Sequence, residues 1–320
     1  MEDEARLAYD ARSMSSTAIL PAAPPRMPAL IAACLAATWL IWGSTYLAIK
    51  WALVSFPPFY QMGTRFLVAG ALLAAWMRWR RVAWPDRAQW INATLLGALM
   101  LGGGYGLTAL AEVSVSSGLV VAFIAVGPAM QAAMEWPYGV KPTRTEALGI
   151  ALGLIGVLGL AAGQGFSASP MGLLAVLVAA VCWKLGSVWS QRGLPRVLGG
   201  RALDLAPGAM GFASQMLAGG VVLMAVSAVL GEQPGWPVDT KALASWVYLV
   251  TAGSLVAFSA FMVLLKNTPA AVSSSYAYVN PLIGLVLGVT LGGETLHWGE
   301  WLAAALVTGS VVLMLRGRRP

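Results

Sequence analysis

The side chains that could do chemistry in this sequence are few and lie in long apolar runs. Arg65 and Lys184 are cations inside such runs, and Glu112 lies at the end of another. Runs of this length are typical of membrane spans, where an ionisable side chain is costly unless it faces a cavity or a partner. We therefore predict that Arg65 and Glu112 form a charge pair or take part in ion coupling, and that Lys184 faces a substrate path. Two alternatives for Arg65 are a cationic wall for an anionic or zwitterionic substrate and bonds to helix-end carbonyls. The alternative for Lys184 is a stem that extends to the membrane surface.

A second group of side chains combines aromatic rings with small polar groups in the interiors of the runs. Tryptophan and tyrosine of membrane proteins normally lie at the two interfaces, so interior rings favour an aromatic-lined cavity over packing alone. A few polar groups among apolar rings are typical of a small-molecule pocket. The predicted cavity residues are Trp42, Ser44, Tyr46, Tyr105, Trp183, Lys184, Ser187, Ser275, Tyr276, Tyr278 and Asn280.

Catalytic and cofactor chemistry finds little support in the sequence. His297 is the single histidine, and Cys34 and Cys182 lie in apolar runs where reduced packing residues are expected. An intramembrane enzyme would need clustered carboxylates or a nucleophile with its base. We predict no catalytic residue, no metal and no cofactor, and an intramembrane enzyme is the less favoured alternative.

The composition is that of a polytopic membrane protein. Hydrophobic residues make up 58% of the 320 residues and charged residues 10%, against roughly 25% charged residues in a soluble domain. The net charge of +7 comes from short segments between apolar runs. No basic domain or nucleic-acid motif accompanies it, so we expect a lipid bilayer and a small molecule as partners, and no nucleic acid.

Ten apolar windows have the roughly 20-residue length that crosses the hydrocarbon core as a helix. They are continuous rather than alternating, which excludes the strands of a membrane barrel. The predicted spans are 29–50, 58–77, 89–111, 116–136, 146–164, 170–190, 208–230, 242–265, 271–292 and 299–315.

The distribution of basic residues between the spans predicts the orientation. With the N-terminus inside, the inner segments hold 16 Lys and Arg residues and the outer loops hold Lys241 alone. Cytoplasmic loops carry such an excess of basic residues. Both termini are therefore predicted to be cytoplasmic, with residues 1–28 as a disordered leader and 317–320 as a basic tail.

An internal duplication divides the spans into two halves. Gly127-Pro128 and Asn280-Pro281 stand 153 residues apart at matching places within their spans, and Trp42-Gly43-Ser44 is loosely similar to the stretch that begins at Trp183. Each half, 29–165 and 166–316, has five spans. Because five is an odd number, tandem copies must insert in opposite orientations. Inverted repeats of this kind build many secondary transporters, whose substrate sites lie near the midplane.

The sequence resembles the drug/metabolite transporter superfamily, and within it the ten-helix EamA-type exporters of bacterial inner membranes. The resemblance rests on Ile41-Trp42-Gly43-Ser44-Thr45-Tyr46, on Arg65-Phe66, and on Ser275 to Pro281 with the following Gly292-Gly293-Glu294 and Trp301. It covers about residues 29–315. The resemblance implies export of small metabolites, such as amino acids, or of drugs across the inner membrane by alternating access. Lys141 and Lys184 depart from the family's pattern.

Several alternatives remain open at the level of sequence. A passive facilitator or exchanger has the same spans and repeats as a coupled exporter, and protons are the candidate coupling ion. The glycine spacing in spans 5 and 9 allows close helix packing within the chain or a weak dimer, so a monomer and a weak dimer are both retained.

Overall fold

The computed structural model describes residues 27–115, 120, 124, 127–162, 169–292 and 298–316, and this part of the chain is helical without a strand. The principal helices are α1 (Met27–Ala52), α2 (Pro58–Trp79), α3 (Arg87–Glu112), α4 (Gly127–Glu135), α5 (Arg144–Ala162), α6 (Pro170–Arg192), α7 (Ala209–Val229), α8 (Thr240–Asn267), α9 (Tyr276–Gly292) and α10 (Trp298–Arg316). The all-helical prediction is confirmed for the described chain. The leader 1–26, the tail 317–320, Glu294 and His297 lie outside the described residues, as do nine of the eleven residues 116–126 of the fourth predicted span.

Five of these helices, α1, α3, α6, α7 and α8, are long and apolar enough to cross a membrane. Their ends are defined by local sequence. Asp86 and Gln89 form a reciprocal capping box at the start of α3, and Asp239 accepts a bond from the backbone N–H of Ala242 at the start of α8. Such caps satisfy amide groups that have no partner within the helix. These two caps therefore fix the residues at which α3 and α8 begin.

The ninth predicted span differs from the helix that forms. A helical turn over Ala270–Ser273 precedes α9, which begins at Tyr276 rather than near residue 271. The hydroxyl of Ser275 donates to the carbonyl of Val272, and that of Ser274 bonds Gln131 of α4. Serine side chains that bond nearby backbone or another element compete with regular helix. The serine run therefore interrupts the predicted span.

Both α3 and α8 contain a wider π-helical segment in their central part. The segments are Ala98–Gly106 and Leu249–Phe258, about 151 residues apart, close to the 153-residue spacing of Pro128 and Pro281. Segments of this type often lie at functional sites. In the first one, glycine brings the backbone against a neighbouring ring: a Cβ on Gly104 would lie 3.1 Å from Cε3 of Trp183.

The helix contacts repeat with a period of five helices. The contact of α3 with α6 corresponds to that of α8 with α1, and the contact of α4 with α6 to that of α9 with α1. The contact of α3 with α7 likewise corresponds to that of α8 with α2, while α2 packs on α7 and α5 on α10. Adding five to each helix number, with the count continuing from α10 to α1, therefore reproduces these contacts.

Candidate functional site

A cavity lies between α1, α3 and α6, with single residues of α4 and α9 at its wall. Its empty space, including the part that is open to solvent, is about 550 Å³. Its wall is mostly apolar, with a few hydroxyl groups and one amine. The lining residues are Trp42, Thr45, Tyr46, Ile49, Gly104, Tyr105, Thr108, Ile124, Gly127, Ala179, Ala180, Trp183, Lys184 and Tyr276.

The ring of Trp42 lies at the centre of an aromatic cluster at this wall. It is 3% exposed, and its centroid lies 4.8 Å from Tyr276, 4.9 Å from Phe261, 5.6 Å from Trp183 and 6.4 Å from Tyr105. Most of these pairs meet edge to face, the favoured arrangement of aromatic rings. Trp183 Nε1 also donates to the hydroxyl of Tyr276 at 2.6 Å. The cluster joins α1, α3, α6, α8 and α9 around one side of the cavity.

Lys184 places its amine at the cavity wall with neutral partners. Its side chain is 1% exposed, and Nζ lies 3.1 Å from Ser274 Oγ, 3.4 Å from Gln131 Oε1 and 3.4 Å from the Tyr276 hydroxyl. No ion pair of Lys184 is present in the described part of the chain. A buried ammonium without a counter-charge is electrostatically costly, so this site favours an anion.

Glycine makes the space for the Lys184 stem. A Cβ on Gly127 of α4 would lie 2.5 Å from Lys184 Cε and 3.3 Å from its Nζ. Real atoms do not approach so closely, and any larger residue at position 127 would displace the amine. The position of the cation therefore depends on α4 as well as on α6.

A chain of hydrogen bonds between side-chain amides continues from Lys184 away from the cavity. Gln131 Oε1 also accepts from Ser274, and Gln131 Nε2 donates to Gln191 Oε1 at 3.4 Å. Gln191 Nε2 in turn donates to the carbonyl of Leu265 at 2.9 Å. These bonds connect α4, α6, α8 and the turn before α9. Sequence reasoning missed Gln131 and Ser274, although a glutamine in an apolar helix three residues after Pro128 was an available signal.

Arg65 is fully buried beside the cavity but does not line it. Its Nε donates to Ser254 Oγ at 2.7 Å, and its guanidinium carbon lies 4.9 Å from the Phe66 ring and 5.0 Å from the Tyr105 ring. These contacts place the cation between two aromatic faces, which attract it. A Cβ on Gly253 would lie 2.8 Å from Arg65 Nη2, so the π-helical segment of α8 leaves room for this group.

The predicted contact between Arg65 and Glu112 is not formed, which corrects that expectation. Glu112 is 3% exposed, and neither carboxylate oxygen has a hydrogen-bond partner among the described residues. Arg65 binds Ser254 of α8 instead. The sequence indicated that both groups lie in the outer halves of α2 and α3 but not their directions around the helix axes, and α8 supplies the nearer acceptor.

Six of the predicted cavity residues line the cavity: Trp42, Tyr46, Tyr105, Trp183, Lys184 and Tyr276. Two others lie on helix faces that point away from the cavity. Ser44 bonds the Tyr248 hydroxyl at 2.6 Å, and the hydroxyl of Tyr278 donates to the carbonyl of Ile150 at 3.4 Å. Each follows a lining residue by two positions, and two residues turn an α-helix by about 200°. Neighbours in sequence therefore point away from each other.

Three further predicted residues also lie outside the lining. Ser187 donates to the carbonyl of Trp183 at 2.7 Å, and Ser275 accepts from Trp39 Nε1 at 3.0 Å. The side chain of Asn280 is buried, and its amide atoms have no hydrogen-bond partner in the described chain. These three side chains therefore lie outside the lining of the cavity.

A signal for the missed lining residues was present in the sequence. Trp42, Thr45, Tyr46 and Ile49 follow the spacing of one helix face, and the same spacing extends Tyr105 to Thr108. Small residues such as Ala179 and Ala180 gave no signal of their own. No group of three His, Cys, Asp or Glu residues that could hold a metal ion occurs among the residues that the structure describes.

The fold and cavity define a class before any relative is considered. Long apolar helices around a pocket of aromatic and small polar side chains are typical of a membrane transporter. The sequence pattern of the EamA-like transporter family matches this chain twice, over residues 27–162 and 170–316. The chain belongs to this family of membrane transporters.

Individual relatives agree with this assignment. The chain is 37% identical over 283 residues to the inner membrane transporter YedA of Escherichia coli (strain K12), covering 88% of this chain and 89% of that protein. It is 28% identical over 285 residues to the transporter YvbV of Bacillus subtilis (strain 168), covering 86% and 88%. A solved structure titled "Crystal structure of protein" superposes with a TM-score of 0.69 at 20% identity, covering 89% of this chain and 96% of that one. That likeness shows a shared fold.

Proposed function

We propose that this protein is a secondary transporter that exports small metabolites or drugs across the bacterial inner membrane by alternating access through the cavity. The observation that carries the proposal is the composition of the cavity wall. Trp42 and Tyr105 come from the first half of the chain, and Trp183, Lys184 and Tyr276 come from the second. A substrate site between two halves allows each half to move against the other and expose the site to either side.

The proposed topology is ten spans in two inverted five-helix repeats, residues 29–165 and 166–316, with both termini in the cytoplasm. The five-helix period of the contacts and the two matching π-helical segments support it. Reporter fusions at Pro320 and in the loop 231–240 test it. We expect opposite sides of the membrane, and a common side would contradict the topology.

In this orientation the cavity extends toward the outer side. Ile49 and Thr108 lie near the C-terminal ends of α1 and α3, which the charge distribution assigns to the outside, whereas Tyr276 lies at the inner start of α9. The aromatic cluster and the hydrogen bonds of the Gln131 side chain then close the inner side of the cavity. We propose that inward opening separates these contacts, with no catalytic step in the cycle.

Flux through reconstituted liposomes tests the proposed activity. Purified full-length protein is incorporated, the liposomes are loaded with a panel of amino acids, carboxylic acids and cationic dyes, and efflux is measured with and without a proton gradient. Gradient-dependent efflux of at least one compound supports the secondary exporter. Efflux that is equal with and without the gradient would make the protein a passive facilitator, and no flux of any compound would contradict transport.

A further inference from the structure

The charge of the cavity wall carries an inference about the substrate, which rests on the proposed transport function. Among the described lining residues, Lys184 is the one with a charged side chain, and no carboxylate lines the cavity. The second buried cation, Arg65, is held by Ser254 and two rings outside the lining. The cavity therefore offers one positive charge, which matches one negative charge.

The bonding around Lys184 leaves it able to accept an anion. Its three partners are a serine hydroxyl, a glutamine oxygen and a tyrosine hydroxyl, at 3.1 to 3.4 Å. A bond from an ammonium to a carboxylate is shorter, about 2.7–2.9 Å, and adds the attraction of a full opposite charge that none of these neutral oxygens supplies. A carboxylate oxygen can therefore replace one of these long contacts with a net gain.

Tyr276 provides a second polar group beside the amine. Its hydroxyl oxygen accepts from Trp183 Nε1 at 2.6 Å and from Lys184 Nζ at 3.4 Å. Since both bonds use the oxygen as acceptor, the hydroxyl hydrogen can donate to a ligand. The remaining wall is formed by the faces and edges of Trp42, Tyr105 and Trp183 with aliphatic side chains. One cation with one hydroxyl donor next to rings is complementary to a compound with a carboxylate on an aromatic or apolar body.

We propose that the transported substrates are small monocarboxylates with an aromatic or apolar body, whose carboxylate binds Lys184 Nζ and the Tyr276 hydroxyl. A dianionic phosphate is a poorer match because the wall supplies a single point charge and no guanidinium fork. An organic cation is disfavoured because it would meet the ammonium in a cavity with no carboxylate among its described lining residues.

Binding to the purified full-length protein in detergent tests this proposal without transport. Three probes share one body: phenylacetate, its neutral amide phenylacetamide, and the cation phenethylamine. Isothermal titration calorimetry should show phenylacetate binding about tenfold or more tighter than phenylacetamide, because only the carboxylate brings a negative charge to the Lys184 ammonium. Phenethylamine should bind most weakly.

Variants at the site separate charge from shape. Lys184→Met should abolish the preference for phenylacetate and leave phenylacetamide binding within about twofold. Gly127→Ala keeps the lysine but displaces its stem, so it should weaken phenylacetate selectively, while Lys184→Arg should retain part of the preference. Lys241→Gln removes an equal charge from the first turn of α8, outside the cavity lining, and should change the affinity of none of the three probes.

Several results would overturn the proposal. These are equal affinity of the acid and amide for the unaltered protein, absence of binding by all three probes, or an equal loss of both ligands in Lys184→Met. If Lys184→Met does not give folded protein, Gly127→Ala and Lys184→Arg decide the outcome by the same comparison. Efflux of neutral or cationic compounds without phenylacetate binding would refute this substrate class and leave the proposed transport function intact.

Discussion

Arg65 and Lys184 are both buried cations within helices, yet their surroundings differ. Arg65 is 0% exposed, with Nε bonded to Ser254 and its plane between two rings. Lys184 is equally buried but lies at the cavity wall, with three longer contacts to neutral oxygens. Burial alone therefore does not identify a binding group. Arg65 Nη2 also lacks a hydrogen-bond partner among the described residues, so the empty space next to Lys184, rather than unsatisfied bonding, separates the ligand site from the structural residue.

The same contrast runs through the two halves of the chain. Counted from Trp42 and Trp183, Gly43 and Lys184 occupy the same place. Gly43 lets α1 approach α9, since a Cβ there would lie 2.6 Å from Ile283 Cβ, whereas Lys184 of α6 needs Gly127 of α4 to make room. Similar helix packing in the two halves thus surrounds a site whose chemistry is not symmetric.

The largest effect is expected from Arg65→Ala. This change removes one of the largest fully buried side chains and leaves a void between Phe66 and Tyr105. We expect the free energy of unfolding to fall by about 2–5 kcal/mol, as for other large-to-small core changes. Thermal unfolding in detergent measures it. Arg65→Met, which keeps most of the volume, should recover most of the loss, and equal losses would show that the charge is essential.

The hydroxyl partners of the two cations should differ in importance. Ser254→Ala leaves Arg65 Nε unsatisfied in a buried site and should cost about 1–3 kcal/mol of stability. Ser274→Ala should cost less than about 1 kcal/mol, because Gln131 and Tyr276 still contact Lys184. The two variants are compared by the same unfolding measurement. A Ser274→Ala loss as large as that of Ser254→Ala would mean that Lys184 is held as firmly as Arg65.

Lys184→Met should leave stability within about 1 kcal/mol of the unaltered protein or raise it, because a buried charge without a counter-charge is replaced by an apolar chain of similar volume. Unfolding temperature and elution as a single species on size exclusion check this. A loss comparable to that of Arg65→Ala would place Lys184 among the structural cations.

The smallest effect concerns Arg65 and Glu112. Since the two side chains form no ion pair in the described structure, the stability effects of Arg65→Met and Glu112→Gln should add. Their coupling energy in a double-mutant cycle should stay within about 0.5 kcal/mol. A coupling of 1 kcal/mol or more would restore the charge pair that the sequence predicted.

Much of the architecture was predictable from the sequence. The apolar windows overlap the observed helices closely where the chain is described, because hydrophobic length and charged or capped ends are local properties. The ninth span was predicted to begin near residue 271, but α9 begins at Tyr276. The hydrogen bond from Ser274 to Gln131 joins two different helices, so the pattern along one span did not indicate it. Four residues of the site were predicted because aromatic and charged side chains are unusual in the interior of a membrane span: Trp42, Tyr105, Trp183 and Lys184. Gly127 and Phe261 were missed because glycine and phenylalanine are ordinary in an apolar helix.

The amino-acid sequence was sufficient to identify a helical membrane protein of the EamA type with cations inside its apolar runs at positions 65 and 184. Composition, span length and loop charge act locally along the chain, so a single sequence is sufficient for them. Which of the two cations faces the cavity depends on how the helices pack against each other. That choice depends on rotation about each helix axis and on distant neighbours: Ser254 and the rings around Arg65, and Gly127, Gln131 and Ser274 around Lys184. Contacts between helices that are far apart in sequence fix these rotations, because each helix must fill the surface that its neighbours present.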